Sequence, residues 1–180
     1  TWGRAPLPTS AGPQAAYLLV ETLAAAAAET VPLNFCLVLD RSGSMAGQPL
    51  AEAKRCAEFV LDGLQPTDRL SLVTYDGTAA TLVPAAPLHD KEPIRRAIRG
   101  VCEGGCTNLH GGWLQGGETL APHTGDGVTS RIILLSDGCA NEGLTDSAEI
   151  AALCAAWAAK GVTTSTYGLG DNFNEDLMVA

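Results

Sequence analysis

The sequence predicts an α/β domain: a doubly wound, mostly parallel sheet with one antiparallel edge strand and helices on both faces. Three observations carry that expectation. Two apolar runs of strand length, LNFCLVL at 33–39 and the one inside RIILLSDG at 131–138, read as central strands buried on both sides. Segments with helical apolar spacing lie between the strand-like runs. A DGT turn at 76–78 joins two further strand patterns into a hairpin.

The elements follow in order. Residues 1–32 form a lead-in. TWGRAPLPTSAGPQAA, with Pro6, Pro8 and Pro13, reads as extended; YLLVETL at 17–23 is strand-like; the alanine run at 24–28 is helix-forming but is followed by Pro32. The domain proper is expected over 33–180. After the first buried strand, Leu50, Ala53, Ala57, Val60, Leu61 and Leu64 recur at helical spacing. RLSLVTY (69–75) is a strand, and AATLV (79–83) is its antiparallel partner at an edge. Ile94, Ala97, Ile98 and Val101 mark a short helix whose Arg95, Arg96 and Arg99 form a solvated outer face. A helix over 108–121 presents Leu109, Trp113 and Leu120, and its glycines lower helix propensity but allow close packing. The second buried strand ends at Asp137. A helix over 146–160 carries a stripe of Ile150, Leu153, Cys154, Trp157 and Ala158, a strand covers 162–170, and NEDLMVA opens another helix.

Composition narrows the function classes. A chain of 180 residues with 46% hydrophobic side chains builds a core without disulfide staples. The formal charge of −9 and the scatter of the eleven Lys and Arg leave no footprint for nucleic acid. No apolar stretch approaches the roughly 20 residues needed to cross a bilayer, so membrane insertion of this segment is not expected. Of the six cysteines, Cys36, Cys56, Cys102 and Cys154 fall on apolar positions of expected elements and read as core thiols. That pattern, with no signal peptide in Thr1 to Gly12, favours a cytoplasmic-type reducing compartment, while a secreted or cell-surface setting stays open.

Both buried strands end in an aspartate. LNFCLVLDRSGSM delivers Asp40, then Ser42 and Ser44 at alternate positions; residues two apart in an extended chain project to one side, so the three oxygens face one point. In a doubly wound sheet the ligand crevice lies at the carboxyl ends of the strands, where the winding reverses, and Asp137 would reach the same place. Carboxylates and hydroxyls make a hard oxygen site suited to Mg²⁺, Mn²⁺ or Ca²⁺. Taken singly, Asp40, Ser42 and Asp137 could as well cap a helix or open a turn. Asp76 and Asp171 end strands on the same face, and turn chemistry explains both.

LDRSGSM, CTNLHGG and LLSDGCANEG, in that order, resemble the metal-ion-dependent adhesion site of von Willebrand factor A domains. The likeness runs over about 33–175 and is greatest to bacterial and inter-alpha-inhibitor-like members. It implies a Rossmann-like fold and a divalent cation, Mg²⁺ first with Mn²⁺ or Ca²⁺ as alternatives. The metal residues it implies are Asp40, Ser42, Ser44, Thr107 and Asp137. The hydroxyls would ligate directly, the aspartates would hold water ligands, and an open position would take an Asp or Glu carboxylate of a partner protein. No catalysis is implied; the role is interaction or cell adhesion. The sequence departs from the family at Cys106, where a small residue usually precedes the threonine. It also stops before a last strand and helix, which another chain or segment would supply.

Competing readings remain. A HAD-like phosphohydrolase wants D-x-D and a nearby lysine, but position 42 is serine and no lysine flanks either motif. RSGSM is not the G-x-S-x-G of a hydrolase nucleophile. Cys102, Cys106 and His110, spaced by four, would share a face only on one continuous helix, as an incomplete zinc site. Cys139 beside Asp137 is an exposed thiol, and His89 and His123 read as surface loop residues.

Overall fold

The structure, a computed structural model, describes residues 31–170. The expected lead-in strand at 17–23, the alanine run, Asp171 and the final helix start lie outside the described residues. The elements are β1 (Leu33–Asp40), α1 (Gln48–Gly63), β2 (Arg69–Tyr75), β3 (Ala79–Pro87), α2 (Glu92–Gly100), α3 (Leu109–Leu120), β4 (Thr129–Ser136), α4 (Ser147–Ala158) and β5 (Val162–Gly168). Short 3₁₀ turns occupy Gly43–Met45 and Ala121–His123. Among the described residues, no helix is long and apolar enough to cross a membrane.

The sheet runs β3-β2-β1-β4-β5. β1 pairs in parallel with β2 on one side and β4 on the other, β4 pairs in parallel with β5, and β2–β3 is the antiparallel hairpin. The winding therefore reverses around β1, whose carboxyl end carries Asp40. In the β1–β2 register Asp40 lies opposite Tyr75, and Leu39 pairs with Leu135, which sets Asp40 beside Ser136.

Period-two alternation splits the strands between two cores. Leu37, Leu39, Leu70, Leu72, Ile133 and Leu135 face α1 and α2. Cys36, Val38, Val73, Tyr75, Ile132 and Leu134 face Leu109, Trp113 and Leu120 of α3, with Cys154 and Trp157 of α4 partly buried against them. Both α3 and α4 start on side-chain caps: Asn108 accepts from the Gly111 amide and Asp146 from the Glu149 amide, each at 2.9 Å. The glycines of α3 let it sit close on the sheet. A Cβ at Gly116 would lie 2.7 Å from Val38 Cγ2, and one at Gly112 would run into the Tyr75 ring.

Several expectations are corrected. β3 continues to Pro87, past the expected end at 83; Pro84 and Pro87 are tolerated because this strand is an edge. Cys56 and Cys102 are exposed, not core thiols, because α1 buries Ala53, Ala57 and Leu61 instead, and α2 ends at Gly100. In α4 only Ile150 is fully buried; Leu153 is 37% exposed and Ala158 is exposed. Arg95 and Arg99 do more than face solvent. They bind Asp62, Glu92 and Glu58 in an ion network between α1 and α2. That network pulls down the pKa of Asp62, first through its hydrogen bond from Arg95, and of Glu58, first through its bond from Arg99. On the α1 side, an open apolar groove of about 600 Å³ lies between Phe59 of α1 and Tyr167 of β5.

Gly112→Ala tests the close approach of α3. Alanine gains about 1 kcal/mol in helix propensity, but overpacking against a buried ring costs about 1–3 kcal/mol. Urea denaturation is expected to show a lower midpoint than the parent chain; a raised midpoint would mean that α3 does not rest on Tyr75.

Candidate metal centre

Three loops converge at the carboxyl ends of β1 and β4. The first (residues 41–47) leaves β1 at Asp40, which is fully buried, and is pinned into the α1-side core by Met45. The Ser42 amide donates to Asp40 Oδ1 at 2.9 Å, and Ser42 Oγ lies 3.2 Å from Ser44 Oγ. The two hydroxyls do meet, but not along the extended chain that the alternation implied: Ser44 lies in the 3₁₀ turn Gly43–Met45, with Ser42 at its N-cap. Ser42 is buried and Ser44 exposed, so the pair spans the wall and mouth of the site.

The second loop (101–108) supplies Thr107, which is 2% exposed. The third (137–146) supplies Asp137 and holds Thr107 in place. Asn141 Oδ1 accepts from the Thr107 amide at 2.9 Å, while the amides of Asn141 and Glu142 donate to the Thr107 carbonyl at 3.1 and 3.2 Å. The first and second loops are joined by the Gly43 amide on the Gly105 carbonyl at 2.9 Å. Cys106, the departure from the family pattern, points outward as an exposed thiol and leaves Thr107 buried.

The carboxylates are held differently. Asp40 Oδ2 accepts from Tyr75 Oη at 3.0 Å and from Ser136 Oγ at 2.6 Å, and Ser136 Oγ in turn accepts from the Gly138 amide at 2.9 Å. Burial pushes the Asp40 pKa up from its ordinary value, opposed by the bonds from Ser136, Ser42 and Tyr75. The Tyr75 phenol is pushed well up by burial and then by the charge of Asp40, with Asp137 adding to it. Asp137 Oδ1 accepts from the Cys139 amide at 3.0 Å. Among the described residues, no group donates to Asp137 Oδ2 or hydrogen-bonds the Thr107 hydroxyl. Both atoms reach solvent, since Asn34 Oδ1 is the one buried side-chain oxygen or nitrogen without a partner among the described residues, and they are therefore open to an outside ligand.

The donors fit a hard cation. They are oxygens only: hydroxyls of Ser42, Ser44 and Thr107 and the carboxylates of Asp40 and Asp137. The Cys139 thiol turns to the Asp137 carbonyl at 3.8 Å, and its pKa is raised by burial and by Asp137.

The competing sites are not assembled. Cys102 and Cys106 are exposed in a loop without helix, and His110 lies against Trp113 with ring centroids 6.1 Å apart. Among the described residues, no group of three His, Cys, Asp or Glu side chains is placed to hold a metal. The three lysines are engaged elsewhere. Lys54 caps Arg99 O, Lys91 binds Asp62 O and Leu64 O, and Lys160 lies over Trp157, so no lysine serves a phosphohydrolase at Asp40.

Sequence reasoning missed Ser136, Tyr75 and Asn141. Ser136 and Tyr75 stand at the last positions of their strands, and only the pairing register reveals that they flank Asp40. Asn141 lies inside the third motif, LLSDGCANEG, with nothing to distinguish it from a turn residue. Asp76 was assigned to turn chemistry, and it does accept from the Thr78 amide at 2.9 Å and the Thr78 hydroxyl at 3.3 Å. It also pairs with Arg41.

A parallel-sheet domain with an oxygen-lined three-loop site at its switch point defines a class of cation-dependent binding domain. The family model for the von Willebrand factor type A domain matches residues 34–179, and the chain belongs to that family. An uncharacterized protein of Synechocystis sp. is 35% identical over 150 residues, 83% of this chain and 35% of its own length. Human inter-alpha-trypsin inhibitor heavy chain H3 is 34% identical over 122 residues, 63% of this chain and 14% of its own. The chain thus spans about a third or less of these relatives. Among solved structures, the Bacteroides thetaiotaomicron protein BatB matches with TM-score 0.63 and 24% identity, covering 76% of this chain and 66% of its own. Proximal thread matrix protein 1 of the mussel byssus, with a zinc-occupied metal-ion-dependent adhesion site, matches with TM-score 0.66 and 18% identity over 82% of this chain and 40% of its own. These likenesses bear on fold. Domains of this family are typically metal-dependent protein-interaction modules and generally non-enzymatic.

Tyr75→Phe removes one donor from a buried carboxylate. A loss of about 1.5–3 kcal/mol in unfolding free energy is expected, read by chemical denaturation in EDTA. An unchanged midpoint would mean that the phenol does not support Asp40.

Proposed function

We propose that this domain holds a divalent cation, Mg²⁺ in the first place with Mn²⁺ or Ca²⁺ as alternatives, and uses it to bind an Asp or Glu carboxylate of a partner protein. Ser42, Ser44 and Thr107 would ligate through their hydroxyls, with Asp40 and Asp137 set behind them to hold water. The observation that carries the reading is the pairing of the Ser42 and Ser44 hydroxyls at 3.2 Å beside a buried Asp40. The Thr107 hydroxyl and Asp137 Oδ2, open to solvent and without hydrogen-bond partners among the described residues, support it.

Bound there, the cation would supply an electrophile, because neutral hydroxyls leave most of its charge uncompensated. The chain's own part is positioning. Tyr75 and Ser136 keep Asp40 oriented, and Asn141 keeps Thr107 turned inward. The reading is of binding and not of catalysis, in keeping with a family whose domains are generally non-enzymatic. The chain's charge of −9 disfavours an acidic partner except at the one captured carboxylate, which would contribute to specificity.

The reading keeps one further expectation. A cytoplasmic-type compartment suits six free thiols, of which Cys36 is buried with its pKa pushed up to about 12.

Calorimetry with Mn²⁺ is expected to show one site in the parent chain and none in Ser42→Ala or Thr107→Ala, with circular dichroism unchanged. Metal binding that survives both substitutions would refute the assignment. A pull-down with and without EDTA, comparing the parent chain and Ser42→Ala, tests the partner: equal recovery in all arms would rule out metal-mediated capture.

A further inference from the structure

The second loop brings Thr107 to the site, yet little side-chain packing holds it. Between Val101 and Thr107, both buried, Cys102, Glu103, Gly105 and Cys106 are exposed and Gly104 is half-buried. Polar ties must fix its path. The Gly104 amide donates to Arg41 O at 2.6 Å, the Asn108 amide donates to Asp76 O at 2.7 Å, and Arg41 Nη1 donates to Cys102 O at 3.5 Å. Apart from Gly105 O, which accepts from the Gly43 amide, the ties from this loop to the first loop and to the end of β2 run to Arg41 or Asp76.

Those two residues are themselves locked together. Arg41 Nη2 pairs with Asp76 Oδ2, and the Arg41 amide donates to Tyr75 O at 2.9 Å. The Asp76 carboxylate lies under the loop: a Cβ at Gly104 would collide with it, and the Gly105 amide lowers its pKa together with the Thr78 amide, the largest contributor, and the Arg41 charge. The pair is only partly exposed, 34% for Arg41 and 14% for Asp76, so water screens it less than a surface ion pair. Gly104 and Asn108, which bracket Thr107, are thus held by the main-chain carbonyls of Arg41 and Asp76, while the side chains of the ion pair reach the loop at Cys102 O and the Gly105 amide.

We propose that the Arg41–Asp76 ion pair is the latch that positions the second loop, holding Thr107 against Ser42 and Ser44 and so setting the affinity of the site for its cation. The two side chains are positioning residues that need not touch the ion. The latch rests on the cation-binding reading above for its effect on affinity, but not for its effect on the loop.

The test uses the 180-residue chain with Arg41→Gln, Asp76→Asn and the double variant. Hydrogen exchange in EDTA is read over 101–109 and over β1, and Mn²⁺ affinity is read by calorimetry. The latch predicts faster exchange across 101–109 in each single variant, with β1 protection and the thermal midpoint in EDTA unchanged. It predicts Mn²⁺ affinity weakened by about threefold to tenfold in each, with the double variant no weaker than the worse single, as coupled residues require. Unchanged exchange in both singles would overturn the latch whatever the metal does. Faster exchange with affinity within twofold of the parent, or additive losses in the double variant, would overturn its role in cation affinity. A parent chain that takes up no Mn²⁺ would refute the cation-binding reading, and with it the affinity claim, while the exchange data still decide whether the pair holds the loop.

Discussion

The structure is organised around one buried charge. Asp40 closes the central strand, is fully buried, and is satisfied from three directions: Tyr75 from β2, Ser136 from β4 and the Ser42 amide from its own loop. An ionised carboxylate in that position is expensive unless its lone pairs are occupied. The register that places Tyr75 and Ser136 on either side of it is therefore constrained, because a slip of one residue would turn both hydroxyls to the wrong face. The same carboxylate bends the chain after β1 through the Ser42 amide, which presents Ser42 and Ser44 together.

From that constraint the site follows outward. The second and third loops clasp each other through Thr107 and Asn141, and the first clasps the second through Gly43 and Gly105. The result is a mouth lined by the hydroxyls of Ser42, Ser44 and Thr107 and the carboxylates of Asp40 and Asp137. A ring of carboxylates would neutralise a bound cation. Hydroxyls leave it able to take a further anionic ligand, which is the physical basis for reading this as a recognition site.

Much of this was legible before any coordinates. LNFCLVL and IILL are apolar on both faces, which only central parallel strands require, and the aspartates that end them marked the switch point. The helical spacing from Leu50 to Leu61 and the DGT turn placed α1 and the hairpin. What stayed hidden depends on tertiary partners. Cys56 looked like a core residue because apolar spacing cannot say how wide the buried stripe of a helix is, and α1 buries a narrower one; Cys102 did because the end of α2 at Gly100 is not marked by the spacing. Leu153 was misread in α4 for the same reason as Cys56. The end of β3 was set too early because Pro84 reads as a stop even on an edge strand, whereas it falls at the register shift between Leu72 and Leu70, and pairing resumes at Ala86. Arg95 and Arg99 were read as solvated because their partners Glu58 and Asp62 lie on another helix. Ser136, Tyr75 and Asn141 carry no local pattern, and their roles appear only when β1, β2, β4 and the loops are set side by side.

The central claim is that the hydroxyls of the first and second loops and Asp137 of the third share one cation. A crystal of the chain soaked in Mn²⁺, with anomalous scattering recorded at the manganese edge, tests it most directly. The account predicts a single strong peak between Ser42, Ser44 and Thr107, on the side of Asp40 and Asp137 that faces solvent. A peak at Cys102, Cys106 and His110 instead, or none among the three loops at saturating Mn²⁺, would contradict it.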